Sequence, residues 1–161
     1  MRVGIVSDTH DHMANVSRIV ELFNEADVDH VVHTGDITQA KTLNVFAGLE
    51  APLLGVWGNN DLERKGLEAA CLEHGMQFRE GPLHLEWAGR RLVVVHDPRE
   101  LTPELLHGCH VALHGHDHRH TVEMRGQTLV INPGESAGHV KGYNAVGILD
   151  LVRLQTEIVN F

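Results

Sequence analysis

The strongest constraint on the fold is a strand followed by an amphipathic helix, written three times in the first half of the chain. Arg2–Ser7 is a short apolar run, and after it Met13, Val16, Ile19, Val20 and Phe23 recur at helical spacing across His12–Ala26. The unit returns as Val28–His33 with Thr38–Leu49, and again as Leu53–Trp57 with Leu62–His74. Strands that alternate with helices imply parallel pairing, because the chain crosses back over the sheet before each new strand begins.

From Gln77 the pattern changes. Short β-like runs at Leu83–Trp87, Arg91–Val95, Val111–Leu113, Thr121–Met124, Thr128–Ile131 and Ala145–Val159 predict a carboxyl half that is largely sheet, with only Thr102–His107 helical. Ala88-Gly89 and Arg125-Gly126 mark hairpin turns. The chain has 161 residues and no polar or repetitive stretch that would divide it, so a single domain over residues 1–161 is expected.

A formal charge of -9 argues against a protein that grips duplex nucleic acid through its phosphates, a task that needs clustered Lys and Arg. Two cysteines, Cys71 and Cys109, lie far apart and form no C-x-x-C pair, which indicates neither a disulfide scaffold nor a thiolate metal site. No signal-peptide pattern and no run of about 18 apolar residues occurs, so no membrane partner and a cytoplasmic location are expected. Fourteen histidines are the compositional excess, and they are dispersed rather than gathered in a tag. That excess points to metal or proton chemistry.

The histidines and carboxylates fall at telling places. Asp8 and His10 follow the first apolar run, Asp36 the second and Asn59 the third; His96 follows Arg91–Val95, and His116 and His118 follow Val111–Leu113. In α/β sheets ligands bind at the carboxyl ends of the strands, so these groups can converge on one edge. Taken singly, Asp8-Thr9-His10 suits an ordinary loop as well as a ligand pair. Gly35-Asp36 suits a turn whose Asp caps a helix, and Gly58-Asn59-Asn60-Asp61 a turn in which Asp61 caps the next helix.

His114-Gly115-His116-Asp117-His118-Arg119-His120 is harder to explain structurally, with four imidazoles at alternate positions. An extended stretch would set His116 and His118 on one face, with His114 or His120 supplying supporting contacts. The H-x-H-x-D-H zinc pattern does not fit, because Asp117 follows His116 directly. Mixed imidazole and oxygen donors suit Mn, Fe, Co, Ni or Zn better than Ca or Mg. No Walker A loop is present, so nucleotide-driven work lacks a signal.

The order D-x-H, G-D, G-N-x-D, strand-end His and G-H-x-H, here Asp8/His10, Asp36, Asn59, His96 and His116/His118, resembles the calcineurin-like metallophosphoesterase superfamily. The spacing is most similar to the small archaeal and bacterial phosphodiesterases of the YfcE type. The likeness runs from Val3 through Ser7-Asp8-Thr9-His10-Asp11, Gly58-Asn59-Asn60-Asp61 and Ile131-Asn132-Pro133-Gly134-Glu135 to Gly147-Ile148-Leu149-Asp150.

The resemblance implies an α/β fold of four layers (α/β/β/α), a two-sheet β-sandwich flanked by helices with a dinuclear site at one edge. It implies that Asp8, His10 and His118 hold one metal and Asn59, His96 and His116 the other, with Asp36 bridging, and that Asp36, Asn59 and His96 serve catalysis. Two divalent transition metal ions, Mn foremost, would activate a bridging hydroxide that attacks a small or nucleotide-like phosphate ester. A homo-oligomer is left open. The second reading is a non-catalytic scaffold, since the eukaryotic retromer subunit resembles the same fold.

Three positions depart from the pattern or stand beside it. Phosphatase relatives carry a histidine after the ligand Asn that is thought to protonate the leaving group, where this chain has Asn60. Members of this type often have Gly after the strand-end His, here His96, where this chain has Asp97. Asn132, in a Pro-Gly turn that the resemblance brings near the site, is expected to be structural support.

Overall fold

A computed structural model describes residues 1–161. The first three strands, β1 (Arg2–Val6), β2 (His30–His33) and β3 (Leu53–Val56), are separated by helices α1 (Met13–Glu25), α2 (Ala40–Phe46) and α3 (Arg64–His74). Next come β4 (Gln77–Arg79), β5 (Leu83–Trp87), β6 (Arg90–Val94), a 3-10 turn at Pro98–Glu100, α4 (Pro103–Leu106), β7 (Val111–Leu113), β8 (Thr121–Arg125) and β9 (Thr128–Asn132). β10 (Ala145–Asp150) and β11 (Gln155–Asn160) close the chain.

One sheet has the order β11-β10-β1-β2-β3-β4 and the other β5-β6-β7-β9-β8. β1 to β4 pair in parallel, as the three crossovers require, and β6, β7 and β9 form a second parallel set. Alternate residues of each strand sort into different layers. Val3 and Ile5 face the space between the sheets, while Val6 faces the helices with Val16, Ile19 and Phe23 of α1. Gly4 faces the same way, and a Cβ there would press 2.8 Å from the Phe23 ring. In the second sheet Leu92, Val94, Val111, Leu113, Leu129 and Ile131 face inward. Their neighbours Val93, Ala112 and Val130 pack outward under Leu101, Leu105 and Leu106. Burial on both faces explains why these strands read as unbroken apolar runs rather than alternations. The result is the four-layer α/β/β/α sandwich that the family resemblance implies.

Several expectations need correction. Ala145–Val159 is two antiparallel strands, reversed at Leu151–Leu154, where Leu154 takes φ 55. The turn lacks the Gly, Pro or Asn that would announce it. β4 was not expected: three residues, with only Phe78 turned inward, give no period to read. The second hairpin turns at Gly126-Gln127 rather than Arg125-Gly126. α2 begins at Ala40 and not Thr38, because Thr38 takes φ 74 and gives its N–H to Asp61. Asp61 therefore does not cap α3.

Candidate metal centre

The carboxyl ends of five parallel strands deliver the chemistry. β1 leads into Asp8 and His10, β2 into Asp36, β3 into Asn59, β6 into His96 and β7 into His116 and His118. All seven side chains singled out in the sequence come together at this edge. Aiming them takes unusual backbone: Asp8, His10, Asp36, His116 and His118 have φ of 51, 40, 62, 73 and 57. Left-handed conformation in a non-glycine residue costs on the order of 1–3 kcal/mol and collects at functional sites. The segment after β7 is accordingly not extended; left-handed turns, not strand alternation, bring His116 and His118 to the same side.

Two groups of donor atoms result. In the first, His118 Nε2 is 3.4 Å and His10 Nε2 3.8 Å from Asp8 Oδ1. In the second, His96 Nε2 is 2.9 Å and His116 Nδ1 3.0 Å from Asn59 Oδ1, and the two nitrogens are 3.2 Å apart. Asp36 stands between them, with Oδ2 3.3 Å from His10 Nε2 and Oδ1 3.5 Å from His96 Nε2.

The donor set fits a pair of cations. Asp8 Oδ1 and His10 Nε2 are buried without a hydrogen-bond partner. An orphaned buried polar atom is a cost that a coordinated ion would remove. Ligand atoms about 2.1 Å from a shared ion, at tetrahedral or octahedral angles, lie roughly 3.0–3.4 Å from one another. The spacings within each group scatter around that range. Asp8, His10 and His118, and separately Asp8, Asp36 and His96, place ligand atoms within 4.8 Å of one another.

Electrostatics agree. The Asp36 carboxylate, and Asp8 after it, outweigh burial and push the His10 imidazole up to about 10. Burial works to raise Asp8, but His10, His118 and Ser7 hold it below the ordinary carboxylate range. Asp36 is lowered too: burial opposes ionisation, and the neighbouring His10 together with the hydrogen bonds from the Asn60 backbone and side chain prevails. His118 is raised, by Asp8 first and Glu135 further on.

A supporting layer escaped the sequence reading. Asn60 donates its backbone N–H (2.9 Å) and its side-chain amide (2.7 Å) to the two oxygens of Asp36. Asp61 gathers the N–H groups of Asp36, Ile37, Thr38 and Gly58 and so shapes the loop that presents Asp36. His33 accepts from Gly35 N at Nδ1 and meets Thr9 Oγ1 at Nε2, 3.2 Å away. Glu135 Oε2 is 3.0 Å from His118 Nδ1. That contact had been expected from His114 or His120. His114 instead faces the Gly115 carbonyl, and His120 is exposed. These partners come from loops whose mutual approach has no local sequence signal. Asn132 behaves as expected, donating to Asp117 Oδ1 at 2.5 Å beneath the His116–His118 turn.

Asp97 caps the 3-10 turn, chelates Arg99 and lies 3.9 Å from His116 Nε2. Arg99 holds its carboxyl low, at about 2. A cleft of about 510 Å³ lined by Trp57, Asn59, His96, Asp97, Arg99 and His116 opens onto the second group. A larger one of about 670 Å³, between α4 and the β8–β9 hairpin, holds none of the seven. Chemistry, not volume, locates the site.

Residues 1–153 match the calcineurin-like phosphoesterase superfamily domain. The chain is 32% identical over 154 residues to phosphodiesterase MJ0936 of Methanocaldococcus jannaschii, with 93% of each protein covered. It superposes on a structure described as a novel archaeal phosphodiesterase with a TM-score of 0.92, 29% identity and full coverage of both chains. It shares the fold of the Escherichia coli phosphoesterase YfcE, with a TM-score of 0.74, 20% identity and coverage of 99% and 98%. This chain belongs to the calcineurin-like phosphoesterase superfamily.

Proposed function

We propose that the protein is a metal-dependent phosphodiesterase, a single-domain hydrolase of the cytoplasm that cleaves small or nucleotide-like phosphate esters. The observation that carries this reading is Asp36, whose two oxygens each face one of two donor groups at 3.3 and 3.5 Å. Asp8, His10 and His118 would hold one cation, Asn59, His96 and His116 the other, and Asp36 both. Mn is the first candidate, with Ni, Fe, Co and Zn compatible with the same donors. Bound there, the cations would supply the positive charge that acidifies water and draws in phosphoryl oxygens.

The chain's own residues set the rest. Asn60 fixes the rotamer of Asp36 and brings no titratable proton to the site. Departure of the leaving group then depends on its own stability as an anion. Thr34 O lies 2.9 Å from His96 Nδ1, and since a carbonyl only accepts, that nitrogen carries the hydrogen and Nε2 keeps its lone pair toward Asn59. The complete ligand set favours catalysis over the scaffold reading, and a charge of -9 favours a small substrate over duplex nucleic acid.

The test is hydrolysis of a chromogenic phosphodiester by metal-stripped protein, before and after Mn or Ni is restored, beside Asp36→Asn. We expect activity only with metal and a loss of more than about 100-fold in the variant. Activity indifferent to both treatments would contradict the mechanism.

A further inference from the structure

Between β9 and β10 the chain passes Glu135, whose carboxylate is only 2% exposed. A buried carboxylate needs partners, and this one has three. Oε2 lies 3.0 Å from His118 Nδ1 and 3.2 Å from His139 Nδ1, and the Val140 N–H donates to Oε1 at 3.0 Å. No Lys or Arg pairs with it.

We infer that Glu135 is a positioning residue: it locks His118 as the Nδ1–H tautomer, leaving the Nε2 lone pair turned toward Asp8 and the first cation. The inference rests on the two-cation reading above. A carboxylate only accepts, so the ring nitrogen facing it must carry the hydrogen. The other nitrogen, Nε2, is 3.4 Å from Asp8 Oδ1 and makes no hydrogen bond to it, so the one hydrogen of the neutral ring rests on Nδ1. A free imidazole divides between two tautomers, and the wrong one would present an N–H to a cation. A carboxylate behind the ring removes that form and makes Nε2 a better donor.

The same group braces the rim. The Glu135 carbonyl accepts from Ala145 N, its carboxylate from Val140 N, and His139 between them stacks on His118 with rings 5.3 Å apart and 10° from parallel. His118 is thus held at its edge by Glu135 and on its face by His139. His118, Glu135 and His139 could also be read as a separate cation site, since their donor atoms lie close together. The geometry disfavours it: both Nδ1 atoms address the one oxygen Oε2, and the remaining nitrogen of His118 faces Asp8.

The experiment compares wild type, Glu135→Ala, Glu135→Gln and His139→Ala. Long-range nitrogen–proton NMR of the metal-free protein, taken at a pH high enough to leave His118 neutral, reads its tautomer, and titration calorimetry with Mn reads each site. Wild type should show the Nδ1–H form and take up two equivalents. Glu135→Ala should mix the tautomers and weaken one equivalent about 10–100-fold while sparing the other. Glu135→Gln should lose less, because its amide oxygen still accepts one N–H, and it decides the matter if the alanine variant does not fold. His139→Ala should retain the tautomer. An Nε2–H form in wild type, or unchanged binding of both equivalents in the folded Glu135 variants, would overturn the inference. Fewer than two equivalents in wild type would instead defeat the two-cation reading, and the NMR result would still decide the link between Glu135 and His118.

Discussion

His33 is fully buried beside the centre, and burial pushes its pKa down to about 3. The unfolded chain binds a proton near 6.5 that the folded chain refuses, so the unfolded state holds more protons throughout the interval between those values. Stability contributed by neutral His33 is complete above about pH 6.5 and is lost as the pH falls, reaching about 2 kcal/mol by pH 5. Urea unfolding of wild type and His33→Gln at pH 7 and pH 5 checks this. Wild type should lose about 2 kcal/mol more than the variant over that step, and equal losses would contradict it. Asn60 gives a second residue-level prediction. With no acid at that position, rates across a series of substituted phenyl diesters should fall steeply as the leaving group becomes more basic. A flat series would mean that another group protonates the leaving oxygen.

At the level of elements, the site depends on loops that approach closer than a side chain allows. A Cβ on Gly115 would overlap the Ser7 hydroxyl and come within 2.6 Å of Asp8 Oδ2, and one on Gly58 would overlap the Asp36 carboxylate. Gly115→Ala should therefore leave the sheets intact by circular dichroism while weakening Mn binding by at least about tenfold in calorimetry, and wild-type affinity would refute the packing argument. The loops are also where sequence reading met its limit. β1, α1, β2 and β3 were legible because their apolar residues repeat over several turns or pleats. β4 was not, since three edge residues carry no period, and the β10–β11 reversal was not, since its turn uses Leu151 and Leu154. The candidate donors were legible because each stands within a few residues of the end of an apolar run. Asn60, Asp61 and Glu135 were not identified as supports, because each acts on a residue from another loop. A single sequence states which residues end strands, but not which loops will touch.

For the whole molecule, two parallel sets of strands in separate sheets end at one edge, and each sheet brings part of each donor group. Asp8, His10, Asp36 and Asn59 come from the first sheet, His96, His116 and His118 from the second. The inward-facing layer of Val3, Ile5, Val32, Val94, Leu113 and Ile131 sets how far apart the sheets lie and so how far apart the candidate donors stand. Separating the sheets would divide both donor groups, so the sandwich and the centre depend on the same packing. The most direct measurement is anomalous scattering from crystals grown with Mn. The account predicts two peaks about 3.5–4 Å apart, one beside Asp8, His10 and His118, the other beside Asn59, His96 and His116, with Asp36 between them. A single peak, or peaks remote from these side chains, would contradict it.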